Sequence, residues 1–181
     1  MPIPDFDHNN VIPPFIGNDA TEYGENSPYL CTSLELCERF ATSEDRKQIL
    51  LGFINFRLAL RNFGFTNGFQ ILDGSFLENI ETSEQRSPKD LDLLTIYWGY
   101  DISFQQNINN NFPAFFNPEM AKQDYLLDHY FLDMYIPSAI DQIFYWNQLF
   151  SHNRNLVWKG MLKIIVNTPE DDIKALNYLQ V

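Results

Sequence analysis

Two short apolar runs near the middle of the chain constrain its fold most. Phe69 to Asp73 reads as a strand ending in Gly74-Ser75-Phe76, and a second run opens with Asp90-Leu91-Asp92 and continues through Leu94, Ile96 and Trp98. A strand alternates its side chains between faces, so Asp90 and Asp92 project together with the apolar row that follows. Neighbouring strands joined by one surface loop usually pair antiparallel, which sets the end of the first run beside the start of the second. Gly74, Ser75, Asp90 and Asp92 then share one edge of a sheet. Glycine lets a backbone approach a phosphate, a serine hydroxyl donates to phosphate oxygens, and Mg²⁺ binds one or two carboxylates plus substrate phosphates. The combination reads as a site for a metal-bound nucleoside triphosphate.

The bland readings have to be set beside this one. Gly-Ser is common in turns, and a chain with 24 acidic residues can place Asp-x-Asp on a solvated strand by chance. Each motif alone favours that view; together, before an apolar strand, they favour the site. His8, His129 and His152 show no metal-ligand spacing, and the aromatic residues are spread along the whole chain as core residues are.

The flanking sequence predicts a single α/β unit. Residues 1–31 contain Pro, Asn and Gly and read as an irregular acidic arm, with 32–181 as one domain. A helix is expected after Thr32 or Ser33 to about Phe40, and another after Ser43, where Ile49, Leu50, Phe53, Ile54, Phe56 and Leu60 recur at helical spacing until Gly64. Glu78 to Lys89 is a charged, serine-rich loop, expected to form a mobile flap. Gln105 to Asn111 is a polar stretch, followed by an aromatic patch and a short helix from Pro118. A third strand is expected at Asp128 to Leu132, a helix after Pro137-Ser138, and a fourth strand at Gly160 to Val166. Thr168 as N-cap, Pro169 and three acids then signal a last helix.

Charge bounds the partners. Residues 1–45 hold nine acids and one base, a net of −8 within the formal −12, so the remainder carries −4. Overall charge opposes nucleic acid, and any such surface needs a local basic patch. No run reaches the ~20 apolar residues of a membrane helix, and the first residues lack the basic and apolar regions of a signal peptide. Cys31 and Cys37 lack a second pair to complete a metal site and read as reduced structural thiols in a cytoplasmic protein.

Gly74-Ser75 followed by Asp90-x-Asp92 resembles the signature of the polymerase-β-like nucleotidyltransferase superfamily. Leu72 to Phe76 with Pro88-Lys89-Asp90-Leu91-Asp92 is similar, more closely, to a family of small stand-alone bacterial nucleotidyltransferase-like proteins. Val11-Ile12-Pro13-Pro14, Glu38-Arg39-Phe40, and Phe150, Arg154, Lys159 and Gly160 extend the likeness. The resemblance implies a nucleotidyltransferase-like α/β (α+β) fold, a mixed sheet of about four strands flanked by helices. It implies transfer of a nucleotide from a nucleoside triphosphate (NTP) to a macromolecular acceptor, a protein hydroxyl or an RNA end, in a toxin-antitoxin or phage-defence setting. Asp90 and Asp92 would hold two Mg²⁺ ions, Gly74 and Ser75 the phosphates, and Arg154 and Lys159 would clamp them. A third carboxylate is implied on another strand. Residues 101–125 suit a helical crossover to a parallel strand, which would bring Asp128 beside Asp90 and Asp92, with Asp133 further along on the opposite face. Asp128 is preferred and Asp133 held in reserve. Lys89 is adjacent but points away on a regular strand. The alternative class is a catalytically inactive nucleotide-binding sensor, regulator or antitoxin acting through a partner protein.

Overall fold

The computed structural model describes residues 3–180; Met1, Pro2 and Val181, the outermost positions of the expected arm and domain, lie outside the described residues. Thr32 starts the first helix, α1 (Ser33–Phe40): its Oγ1 accepts from the Glu35 N–H while the Glu35 carboxylate accepts from the Thr32 N–H. That reciprocal pair satisfies two donors left open at a helix start. Ser43 caps α2 (Glu44–Asn62) by accepting from the Arg46 N–H, and all six apolar positions picked out by spacing are buried. Both helices form where the sequence places them.

The sheet has five strands: β1 (Tyr29–Leu30), β2 (Gly68–Asp73), β3 (Leu91–Tyr97), β4 (Leu127–Asp133) and β5 (Leu162–Ile165), in the order β1-β5-β2-β3-β4. β2 and β3 pair antiparallel with Asp73 opposite Asp92, and β3 and β4 pair parallel with Asp92 opposite Asp128. Both pairings agree with the sequence reading. The additional strand comes from the arm, where the Tyr29 N–H donates to the Met161 carbonyl and the Cys31 N–H to that of Lys163. Two residues are too few to show a period of two, so this edge strand left no signal. The arm is correspondingly less irregular than expected, since Val11 and Ile12 are fully buried and the Gly160 N–H donates to the Ile12 carbonyl.

Five further helices complete the described residues: α3 (Ile80–Ser83), α4 (Ile102–Asn111), α5 (Pro118–Tyr125), α6 (Ala139–Phe150) and α7 (Pro169–Leu179). α4 spans the polar stretch from Gln105 to Asn111 and lies in the segment expected to carry a helical crossover. Asp101 caps it by accepting from the Phe104 N–H, and Ile108 is its one buried residue, too little apolar periodicity to read. Thr168 precedes α7 as expected but makes no side-chain cap; its Oγ1 accepts instead from the Arg57 guanidinium at 2.8 Å. The expected flap is also partly tied down. Arg46 donates to the Phe76 and Glu78 carbonyls and to both Glu81 carboxylate oxygens, which holds the first part of the segment against α2.

The molecule is thus a mixed α/β fold with two unequal sheet faces. One face packs Leu72, Leu93 and Leu127 against α1, α2 and α7 in the main core. The other packs Ile71, Leu94, Ile96 and Leu132 against Ala139 and Phe150 of α6. No helix of the described residues is long and apolar enough to cross a membrane. Cys31 and Cys37 are free and buried, and burial pushes both thiols up to about 12.

Candidate active site

Strand β2 ends at Asp73, and Gly74 turns the chain away with φ +85°, a left-handed value that favours glycine. The turn is also sterically closed to any side chain, because a Cβ at Gly74 would overlap the Asp92 carboxylate. Gly74 therefore lets the backbone lie directly against that carboxylate, with Ser75 opening the next turn.

The register sets Asp73, Asp92 and Asp128 in one row across β2, β3 and β4. They border a cavity of about 600 Å³, and every residue picked out from sequence, namely Gly74, Ser75, Asp90, Asp92, Asp128, Arg154 and Lys159, lines it. The acids repel one another. Burial pushes the Asp92 carboxyl up to about 7, with the charges of Asp73, Asp128 and Asp90 adding to the shift and Lys159 opposing it. Burial likewise pushes Asp73 up to about 6 against the pull of Lys159. Tyr130, two residues beyond Asp128 on the same face of β4, is raised to about 12 by burial and then by Asp128.

Two lysines meet this acidity in different ways. Lys159, expected as a phosphate clamp, is 2 % exposed and already engaged, with its ammonium 2.9 Å from Asp73, 3.1 Å from Glu78 and 3.1 Å from the Gly74 carbonyl. Burial alone would lower its pKa, but the two carboxylates outweigh that and hold it above the usual lysine value. Two of its donors bond Glu78 and the Gly74 carbonyl and its charge pairs with Asp73, so it acts as a strut under the glycine corner. Lys122, from α5, pairs with Asp90 at 2.6 Å and remains half exposed. That bond and the Asp90 charge raise its pKa.

The outer rim is basic. Arg154 and Lys89 are exposed on the cavity wall and, among the described residues, form no ion pair. Lys89 was expected to point away, but the regular strand begins only at Leu91, so the alternation does not reach it. Asp133 lies elsewhere: it pairs across from Tyr97, on the face opposite Asp128, and accepts from the Gln105 amide at 3.0 Å. Asp73 and Glu78 are the acids the sequence reading passed over. Asp73 looked like a strand terminus, and only its register with Asp92 reveals it.

Among the described residues, no three carboxylate, histidine or cysteine groups converge on a point as they stand to hold a metal ion. The donor chemistry nevertheless suits a hard divalent cation. Asp73, Glu78, Asp90, Asp92 and Asp128 are five carboxylates on the cavity wall, of which the first three pair with the Lys159 and Lys122 ammonium groups. Among the described residues, Asp92 and Asp128 are in no ion pair, whereas Asp90 would first have to release Lys122.

No curated protein and no solved structure matches the chain. A family model matches residues 4–165, from the arm to the end of β5 and across every part of the cavity described above, and the chain therefore belongs to that family, described as a family of unknown function (DUF6932).

Proposed function

We propose that the chain is a metal-dependent nucleotidyltransferase-like protein, moving a nucleoside monophosphate from an NTP to a macromolecular acceptor. The observation that carries this reading is the Asp92 carboxylate, in no ion pair among the described residues, pressed against Gly74, flanked by Asp73 and Asp128, and lining a cavity that Arg154 and Lys89 also line. An acid row beside a basic rim is what a polyphosphate bridged by a divalent cation requires. Mg²⁺ held by Asp92, Asp128 and Asp90 would neutralise phosphate charge. Asp128, next to Tyr130 and in no ion pair, is the group to accept the acceptor's proton. Gly74 and Ser75 bring backbone and hydroxyl to the phosphates, and Arg154 offers a planar fork for their outer oxygens. Lys159 keeps the corner in shape.

The setting, a toxin-antitoxin or phage-defence system, rests on the resemblance alone, and a cytoplasmic location on the two unpaired cysteines. A second reading, an inactive nucleotide-binding sensor acting through a partner protein, is favoured by one observation: Asp90 is already neutralised by Lys122. Incubation of the purified chain with labelled triphosphates, Mg²⁺ and cell extract separates the two. Label on a protein or RNA that disappears in Asp92→Ala supports transfer, and nucleotide binding without label transfer supports the sensor.

A further inference from the structure

Five lysine and arginine side chains line the acidic cavity, and they are not equivalent. Lys159 is buried and fixed between Asp73 and Glu78, and Arg86 pairs with Glu84. Lys89 and Arg154 form no ion pair among the described residues. Lys122 alone combines two properties: its ammonium lies 2.6 Å from Asp90, one of the three carboxylates assigned to the metal, and its side chain is 56 % exposed. The charges of Asp128 and Asp92 act on that ammonium as well, so one lysine senses all three carboxylates. Lysine carries its charge on a flexible stem. The root of this one is fixed, because Ala121 beside it is fully buried and the Lys122 carbonyl accepts from the Leu126 N–H at 3.1 Å. Only the charged end is free to move.

We propose that Lys122 exchanges one anion for another: it holds Asp90 in the chain by itself, and when Mg²⁺ enters with a polyphosphate it leaves Asp90 for a phosphate oxygen. The inference rests on the reading of the cavity as a metal and polyphosphate site, and adds the condition Lys122 imposes on it. A second cation on Asp90 would meet the ammonium at contact distance, where like charges repel. Mg²⁺ alone therefore has to break the ion pair and leave the ammonium without a partner. A polyphosphate brings several negative charges into the same cavity, and an ammonium is a point charge that suits them. Mg²⁺ is then admitted with phosphates and resisted without them. By thermodynamic linkage, the metal and the phosphates strengthen each other's binding. The competing destination for Lys122 is Glu119, exposed one turn back on α5, which would draw the lysine away from the site.

Calorimetric titration with two probes, Mg²⁺ alone and a preformed Mg²⁺ tripolyphosphate complex, tests the exchange without any transfer reaction. Lys122→Ala should bind Mg²⁺ alone at least about threefold more tightly than the wild type, and the complex at least about tenfold more weakly. In the Asp90→Asn background the gain for Mg²⁺ should vanish, because no carboxylate is left to release, while the loss for the complex should persist. A lysine acting only through its long-range charge would keep its effect on Mg²⁺ in that background. Lys122→Gln, which retains much of the stem, should repeat both results and serves if the alanine variant does not fold. Tighter binding of both probes, as expected if Lys122 only blocks the site or moves to Glu119, overturns the exchange, as does an unchanged Mg²⁺ affinity or a gain that survives in Asp90→Asn. Each of these leaves the metal site standing. If neither probe binds the wild type or Lys122→Ala, the site itself is refuted and the exchange falls with it.

Discussion

The two faces of the central sheet carry polar residues on quite different terms. On the helix-covered face, Arg57 donates to Asp172 at 2.7 Å, to Gln70 at 2.6 Å and to the Ile165 carbonyl; Gln70 then donates to Thr95, and Thr95 bonds His129. Ser33 also donates to Asp172, so that acid is paired and hydrogen-bonded although almost fully buried. His129, driven down to about 3 by burial, stays neutral there. On the α6 face, Asp73, Asp92 and Asp128 lie side by side with like charge, and only Asp73 has a cation of its own. A largely paired network, in which only the buried His129 Nδ1 lacks a hydrogen-bond partner among the described residues, locks a fold, whereas a frustrated one stores a demand for a ligand. The first is structural, and the second is where function belongs.

Breaking each side once gives the largest contrast. Asp172→Ala strands the buried Arg57 guanidinium and should cost about 3–5 kcal/mol in urea unfolding. Asp92→Asn relieves repulsion and should instead raise stability by about 0.5–2 kcal/mol while removing any transfer activity. If both destabilise alike, the acid row is structural after all.

Replacing the corner glycine sharpens the same contrast at smaller cost. Gly74→Ala forces a side chain into a left-handed conformation and against Asp92, and should lose about 1–3 kcal/mol, visible in thermal melts. In the Asp92→Asn background the strain remains and the charge contact is gone, so the two effects should not add.

Acidity distinguishes the faces without mutation. Asp92 has its pKa raised to about 7 from 3.8, and Asp73 to about 6, so between those values the folded chain binds more protons than the unfolded one. The cluster's contribution to stability is therefore greatest near pH 4 and declines as pH rises towards 7. The melting temperature should fall across that window in the wild type and fall less in Asp92→Asn. Mg²⁺ at pH 8 should restore part of the loss in the wild type only, by binding the folded state.

Lys122→Ala should show the smallest change in stability, about 1 kcal/mol or less, because the pair is half exposed. Its effect belongs to the site: with Asp90 released, the Mg²⁺-induced rise in melting temperature should appear at lower Mg²⁺. No change in that midpoint would remove Asp90 from the metal site.

Local chemistry made much of this legible. The Thr32 and Ser43 caps, the helical spacing from Ile49 to Leu60, and the Gly-Ser and Asp-x-Asp pair are statements about neighbours in the chain, and the sequence alone determined them. The same holds for the pairing of β2, β3 and β4, since loop length largely selects antiparallel or crossover connection. Only the tertiary structure decided the rest. Asp73 joins the site through register, Lys159 becomes a buried strut because β5 follows it beside β2, and the arm supplies β1 although two residues carry no pattern. In each case the partner lies far away in the chain, and a contact of that kind is settled by packing and register, which no local run of residues encodes.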